Sequence, residues 1–449
     1  MIQTLNKKIQ KSTLLYAFIS LAWPTVLEEL LGTILQYVDT AMVGHLGPRA
    51  TATVSLSSTY TWLLGSVMYA FGIGFLSYIA RAIGEKDQQK VETAANQAAI
   101  TAIIVGGVLT LVTVAFAPFM PIVMGAEESI RHDASLYFTL INLPLILRSC
   151  LTIFGSVIRA TGDSKTPMKI NLSINVMNIV LNYVFIYVLK YGAIGAGYAT
   201  CISYSIGGII MCIAFIRNKT LNFHLNTLRF NKTVMGSCLR ISLPVVLTQI
   251  VSCMGYVVAT SFVSSMNTTI YAAHSIAITA EQLFYIPGYG MQAATSTLIG
   301  NALGEADMTK VKKVMKISLT SVITLMCVSG LLLFIFAEFM MGIFTTDTTV
   351  ISTGTRLLRI VAFTEPIFGS AAVMDGIYAG LGKTKPPLYI ELITRWGIRI
   401  LGSFICVRIL SLGIDQIWYC MIADNISKSI LLAIGLVIVI NRLKKKAEF

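Results

Sequence analysis

An internal repeat at a constant spacing of 220 residues is the feature that most constrains this chain. Residues 79–87 read IARAIGEKD, and residues 299–307 read IGNALGEAD. The same shift places Pro24 on Pro244, and Lys165 on Lys385. Turn-forming residues alone would not keep one register over so long a distance. The repeat therefore indicates two copies of one architecture joined end to end.

The composition is that of a membrane protein. Hydrophobic residues make up 55% of the chain and charged residues only 12%, against about 25% charged in soluble domains. Apolar runs recur that are long enough to cross a ~30 Å hydrocarbon core. We predict twelve transmembrane helices, at 14–38, 51–78, 92–121, 132–158, 167–189, 193–216, 234–263, 270–300, 313–343, 351–380, 386–411 and 416–440. The predicted fold class is an all-α membrane protein.

The net charge of +13 is a topology signal. Lys and Arg alternate between the connections of the predicted helices, with 24 in every second connection and 6 in the others. The positive-inside rule then places both termini in the cytoplasm and the protein in the cytoplasmic membrane. This distribution argues against a nucleic-acid partner and leaves membrane lipid as the surroundings of the chain.

Nothing in the sequence indicates an enzyme. There is no Walker A loop and no HExxH motif, so we expect neither ATP-driven transport nor a metal centre. The four histidines are scattered, and we expect no cofactor and no catalytic residue.

Six predicted helices per half give both halves the same orientation in the membrane, which is a parallel repeat. We predict an N-lobe at residues 1–216, a polar and basic linker at 217–232 and a C-lobe at 233–449. We expect a monomer, since each half already buries the other.

Ionisable residues within membrane helices are costly and are candidates for function. Glu28 and Asp39 are eleven residues apart and share one face of the first helix, about 16 Å apart along it. Asn178 and Asn182 end a stripe of four amides on the fifth helix. Such amides either join helices or serve a cation or proton site together with Asp39. Asp39 is the best candidate for a carboxylate that exchanges a proton or binds Na⁺.

The charges of the second half do not repeat those of the first. At the 220-residue spacing Asp39 falls on Ala259, and Asp375 falls on Gly155. The ion-coupling or substrate candidates of the C-lobe are Asp375, Glu281, Glu391 and Arg395. Glu391 and Arg395 are four residues apart and are expected to pair. Asp424 and Lys428 have the same spacing, and we expect both pairs to be structural.

Aromatic and methionine side chains could line a cavity for lipophilic cations, although ordinary helix packing would also use them. The candidates are Trp62, Met68, Tyr69, Met254, Tyr256, Phe284, Tyr285, Tyr289 and Met291.

In its motifs the chain resembles multidrug and toxic compound extrusion (MATE) transporters of the prokaryotic NorM and DinF-like kind. The motifs are Pro24 followed by VDTAMVGHLG at 38–47, RATGD at 159–163, NIVLN at 178–182 and GNALG at 300–304. The resemblance implies a V-shaped pair of six-helix bundles. It also implies antiport of cationic, lipophilic compounds against H⁺, which we favour, or Na⁺. Asp39, Asn178 and Thr200 match polar members of the family's N-lobe site, and Asp375 matches its C-lobe carboxylate.

The sequence departs from the family pattern at two places. Asn182 stands where DinF-like members often carry an Asp, and Thr248, Gln249 and Ser252 stand where an acidic residue of the seventh helix is expected. A second function therefore stays open, that of a flippase for lipid-linked oligosaccharide or peptidoglycan precursors. Such a flippase would need a strongly cationic central cavity, and this chain offers mainly Arg148, Arg395 and Arg399.

Overall fold

The computed structural model describes residues 2–224 and 228–447, and this part of the chain is helical throughout except for short connections. The α-helices are α1 (Ile2–Gly44), α2 (Pro48–Gly84), α3 (Gln88–Phe116), α4 (Met120–Val123), α5 (Glu128–Asn142), α6 (Leu145–Ala160), α7 (Lys165–Asn182), α8 (Gly192–Arg217), α9 (Lys232–Ser264), α10 (Thr268–Gly304), α11 (Met308–Phe344), α12 (Thr348–Ala362), α13 (Glu365–Gly380), α14 (Lys385–Glu391), α15 (Leu401–Phe404) and α16 (Ile414–Ala447). Three π-helical segments interrupt them, at Tyr183–Val188, Leu392–Ile400 and Ile405–Ile409.

The predicted all-α membrane fold with twelve helical spans is confirmed. Eight helices in the described residues are long and apolar enough to cross a membrane. The pairs α5–α6 and α12–α13 are bent by 44° and 56°, and each pair makes one more span. The two other predicted spans are α10 and the helical stretch from Lys385 to Ile409. They carry Glu281, Glu391, Arg395 and Arg399, which lower their apolar character.

The helix boundaries follow the same 220-residue spacing as the sequence repeat. α1 ends at Gly44 and α9 at Ser264, while α2 runs from Pro48 and α10 from Thr268. The break between α5 and α6 recurs between α12 and α13 at the same spacing. The constant spacing in the sequence therefore corresponds to a repeated backbone.

One turn shows how the sequence enforces this repeat. Asp87 accepts a hydrogen bond from the backbone N–H of Lys90 at 3.0 Å and so caps α3. Asp307 does the same for Lys310 at 2.8 Å and caps α11. A side-chain oxygen at this position satisfies a backbone N–H that has no partner within the helix. Lys86, just before Asp87, has a φ of 57°.

The described helices form two compact units. The amino unit comprises Leu30–Leu243, and the carboxyl unit comprises Met1–Glu29 together with Pro244–Phe449. The division falls within α1 and within α9 rather than between helices. The lobe boundaries proposed from the sequence, at 216 and 233, stay a prediction, and the proposed linker lies partly outside the described residues.

Packing explains why the first part of α1 belongs to the carboxyl unit. Phe18 and Leu21 are buried in one core cluster with residues of α10, α11, α13 and α16. The hydroxyl of Thr25 donates to the backbone oxygen of Gly290 at 2.6 Å. Apolar contact alone does not hold helices together in lipid, so close packing and such hydrogen bonds supply the attraction.

Candidate functional site

A chain of hydrogen bonds in the amino unit contains four of the predicted site residues. The amide nitrogen of Asn182 donates to Oδ1 of Asp39 and also lies 3.2 Å from Oδ1 of Asn178. The amide nitrogen of Asn178 lies 3.4 Å from the hydroxyl of Thr200. α1, α7 and α8 thus bring Asp39, Asn178, Asn182 and Thr200 together.

The local helix geometry positions this polar chain. Asn178 and Asn182 are one turn apart on α7, so both amides lie on the same face. Asn182 is completely buried and is the last residue of α7 before the π-helical segment Tyr183–Val188. Such π segments occur frequently at functional sites. The hydroxyl of Tyr187 in that segment donates to the backbone oxygen of Met42 and holds it against α1.

The fifth candidate of this site, Glu28, lies elsewhere. It belongs to the part of α1 that packs in the carboxyl unit, and it is eleven residues, about 16 Å along the helix, from Asp39. The hydrogen bonds described above join Asp39, Asn182, Asn178 and Thr200, and a role of Glu28 in ion coupling stays a prediction.

The carboxyl unit contains a network of ion pairs in its interior. Arg395 lies 2.9 Å from Oε1 of Glu391 and 3.0 Å from Oδ2 of Asp424. Lys428 lies 2.9 Å from Oε2 of Glu391 and 3.1 Å from Oδ2 of Asp375. Three carboxylates and two cations on α13, α14, α16 and the π segment Leu392–Ile400 are thereby joined.

The predicted pair of Glu391 and Arg395 is confirmed. The expected pairing of Asp424 with Lys428 is wrong, because each binds a residue of another helix. Their spacing of four residues allows a contact along α16. Neighbouring helices nevertheless offer each of them a closer partner of opposite charge.

Glu391 has a further partner that the sequence did not identify. The hydroxyl of Ser252 on α9 donates to Oε1 of Glu391 at 2.6 Å. Ser252 is one of the residues at which the sequence analysis looked for an acidic side chain. The carboxylate that faces this part of α9 comes instead from α14.

Glu281 does not join the ion-pair network by any contact within 4 Å among the described residues. It is buried on α10, and its charge interacts with those of Glu365 and Arg399. Seven residues earlier on α10, Nδ1 of His274 accepts a hydrogen bond from the indole N–H of Trp418 at 3.2 Å.

The aromatic candidates divide between the two units. Trp62, Met68 and Tyr69 belong to the amino unit, and the other six belong to the carboxyl unit. Met68 is completely buried, and its sulfur accepts a hydrogen bond from Ser149. The side chain of Met68 is thus enclosed by the surrounding helices, and its place in a substrate cavity stays a prediction.

Three rings of the carboxyl unit form one aromatic cluster. The ring of Tyr285 lies 5.2 Å from that of Phe368, and the ring of Tyr289 lies 5.6 Å from it. Tyr289 is within electrostatic range of Asp375 and Lys428. The cluster thus borders the ion-pair network, and Phe368 is a member that the sequence analysis missed.

Comparison with known proteins supports the repeat independently. The family model described as MatE matches residues 24–184 and matches again at residues 244–405. The two matches begin at the two prolines that the 220-residue spacing relates.

The chain is also similar to curated proteins along most of its length. It is 27% identical to a protein of Thermotoga maritima described as "Probable multidrug resistance protein NorM", over 92% of this chain and 90% of that protein. It is 24% identical to "Probable multidrug resistance protein YoeA" of Bacillus subtilis, over 88% and 87%.

Solved structures show the same fold. A MOP superfamily transporter from Pyrococcus furiosus, reported with the words "Reverse polarity of binding pocket suggests different function", has a TM-score of 0.92 at 21% identity over 96% of this chain and 97% of that chain. An outward-facing multidrug resistance MATE family transporter also has a TM-score of 0.92, at 21% identity and with the same coverage. With the family model matching twice and covering most of the chain, this protein belongs to the MatE family, a family of transmembrane multidrug efflux transporters.

Proposed function

We propose that this protein is a secondary active efflux transporter that exports cationic, lipophilic compounds in exchange for an inward-moving ion, by alternating access. The coupling ion that we favour is H⁺, with Na⁺ as the other candidate. In this proposal the protein lies in the cytoplasmic membrane with both termini in the cytoplasm, as its Lys and Arg distribution predicts. The printed descriptions of its relatives as probable multidrug resistance proteins support the class of substrate.

The observation that carries the proposal is the hydrogen-bonded chain at Asp39. Its carboxylate is bound by the amide of Asn182, and no cation lies within 4 Å of it among the described residues. The buried oxygen of Asn182 has no hydrogen-bond partner there. A carboxylate without a fixed counter-charge, beside the unbound amide oxygen of Asn182, can take either a proton or a hard cation.

The aromatic cluster supports a cationic substrate. The faces of Tyr285, Tyr289 and Phe368 offer cation–π contacts, which are worth about 0.5–2 kcal/mol each. The neighbouring Asp375 is a carboxylate that an organic cation could contact in place of Lys428, which lies 3.1 Å from it.

The flippase alternative has weaker support. A site for a diphosphate needs cations that are free to bind it. Arg395 and Lys428 each contact two carboxylates, and Arg148 lies 4.7 Å from the ring centre of Tyr204.

The test is efflux of a fluorescent lipophilic cation from proteoliposomes, with H⁺ and Na⁺ gradients imposed separately. Asp39→Asn should abolish ion-driven efflux while the protein remains folded and inserted. The matched control is Asp133→Asn, which removes the same charge from an exposed position and should leave efflux unchanged.

The outcomes distinguish H⁺ coupling from Na⁺ coupling, and an efflux transporter from a flippase. Efflux driven by a proton gradient alone supports H⁺ coupling, and efflux that requires Na⁺ supports a cation bound by several oxygens. Ion-driven efflux retained in Asp39→Asn would remove Asp39 from the mechanism. An absence of cation movement under both gradients would favour the flippase.

A further inference from the structure

The interior of the carboxyl unit holds more carboxyl groups than cations. Among the described residues of α10, α13, α14, α16 and the π segment Leu392–Ile400, the Asp, Glu, Lys and Arg side chains of the interior are Glu281, Glu365, Asp375, Glu391, Asp424, Arg395, Arg399 and Lys428. Five of these are acids and three are bases. If every group were ionised, two negative charges would have no compensation. An uncompensated charge inside a membrane protein is costly, so positive charge must come from elsewhere.

The ion-pair network accounts for three of the five acids. Asp375, Glu391 and Asp424 each lie within 3.1 Å of a nitrogen of Arg395 or Lys428. Arg399 is within electrostatic range of Asp424 and of Glu281. The three bases thus balance the three acids of the network. The two acids without a compensating base are Glu281 and Glu365.

Glu365 is the most isolated of these acids. Only 2% of its surface is exposed, and neither of its carboxyl oxygens has a hydrogen-bond partner among the described residues. It begins α13, directly after the 56° bend that separates this helix from α12. The charges of Glu365 and Glu281 act on each other.

The surroundings of the two acids supply little compensation. Ala277, Ala280 and Phe284 flank Glu281 on its own helix, and Val361 and Ala362 precede Glu365. The hydroxyl of Thr364 is bound to the oxygen of Val361. Ser329 on α11 donates to the backbone oxygen of Phe284.

Few ionisable groups face the pair from the elements packed around it. On α10 the group is His274, whose Nδ1 is an acceptor, so that the proton of its neutral ring lies on Nε2. From the segment Leu392–Ile400 it is Arg399, whose charge acts on Glu281. Arg399 is the one cation among these, and its electrostatic contacts also include Asp424.

We infer that Glu281 and Glu365 form a second proton-binding site, a carboxyl pair in the carboxyl unit that is separate from Asp39. At neutral pH the pair holds at least one of the two protons that would supply the positive charge that the bases lack. Release is a simple proton transfer. The O–H bond of one carboxyl breaks, the proton passes to water, and the carboxylate that is left shares the positive charge of Arg399 with Asp424.

A proton fits this place better than Na⁺ does. Sodium, like other hard cations, is held by several oxygen ligands. The residues around the pair are mainly hydrocarbon, and the nearby hydroxyls of Thr364 and Ser329 donate to backbone oxygens. A proton needs only one carboxyl oxygen.

The test is infrared spectroscopy of the purified full-length protein in lipid, which detects the carbonyl stretch of protonated carboxyl groups. All samples carry Asp39→Asn, so that the amino unit contributes no signal from that residue. We expect a band of buried protonated carboxyl at neutral pH, and we expect Glu365→Gln and Glu281→Gln each to lose at least part of it. Glu305→Gln, at an exposed carboxylate that is ion-paired to Lys310, should leave the band unchanged and is the matched control.

Two results would overturn the inference. One is a band that both Gln variants retain in full. The other is a band that appears only when Na⁺ is replaced by choline at constant ionic strength, which would mean that the pair binds Na⁺. If one Gln variant does not fold, the other provides the same readout.

The role of this proton in transport rests on the proposed function, but its presence does not. Failure of the infrared test would leave ion-driven efflux through Asp39 untouched. Absence of ion-driven efflux would equally leave the protonated pair in place.

Discussion

The ion-pair network of the carboxyl unit yields a quantitative prediction about stability. Glu391 is 1% exposed at its side chain and contacts both Lys428 and Arg395. Glu391→Gln keeps the size of the side chain but leaves one positive charge in excess. Removing one partner of a buried ion pair costs about 3–5 kcal/mol, mostly because the other charge stays buried without compensation. We expect a loss of that size in the free energy of unfolding.

The opposite change tests the reason for this loss. Lys428→Met leaves one negative charge in excess and should cost a similar amount, about 3–5 kcal/mol. The double variant Glu391→Gln with Lys428→Met restores the balance of charge. Its cost should therefore be well below the sum of the two single costs, with a coupling energy of about 3 kcal/mol.

The assay is unfolding by SDS titration in mixed micelles, followed through the fluorescence of the tryptophans. Glu365→Gln serves as a control at a carboxyl that has no ion-pair partner among the described residues, and its stability should change little. Strictly additive costs in the double variant would refute the reasoning, because they would mean that Glu391 and Lys428 do not compensate each other.

Two further predictions concern packing and pH. A Cβ on Gly376 would lie 2.5 Å from the backbone oxygen of Gln292, and a Cβ on Gly107 would meet no atom within 4 Å. Gly376→Ala should therefore cost about 1–3 kcal/mol in the free energy of unfolding, while Gly107→Ala should be nearly neutral or stabilising; equal effects would contradict this. Partial burial raises the pKa of Glu85, but the hydrogen bonds and charges of Lys90 and Arg81 together outweigh it, so the net pKa lies below the usual value. The contribution of these contacts is thus present at neutral pH and is lost as the pH falls below about 4. Hydrogen exchange should report the loss as a smaller protection factor of the turn in acid, after correction for the intrinsic exchange rate at each pH. A protection factor that is insensitive to Glu85→Gln would contradict this.

The sequence alone determined the architecture. Apolar runs identify the spans because every backbone polar group in lipid must be satisfied within a helix. The repeated capping residues Asp87 and Asp307 fix the turns locally, so their register follows from residues only a few positions apart. The pair of Glu391 and Arg395 could also be predicted from the sequence, because helix periodicity places residues four positions apart on one face of a helix.

The sequence also suggested that Asp39 and the amides of α7 form one site, but it did not determine that these side chains are in contact. Asn182 and Asp39 are separated by 143 positions along the chain. Helix periodicity fixes the face on which each residue lies, and it says nothing about which helix stands opposite. Their hydrogen bond exists because the tertiary structure places α7 beside α1.

The tertiary structure alone decided which charges are compensated. Asp424 and Lys428 could have paired along α16, yet each binds a residue of a neighbouring helix. Glu365 has the same side chain as Glu391, but the packing of α13 leaves its oxygens without a hydrogen-bond partner in the described part of the chain. The electrostatic state of a buried side chain depends on atoms within a few ångströms of it, and those atoms come from distant parts of the sequence. Helix patterns locate the carboxyl groups, and only packing distinguishes a fixed ion pair from a group free to bind a proton.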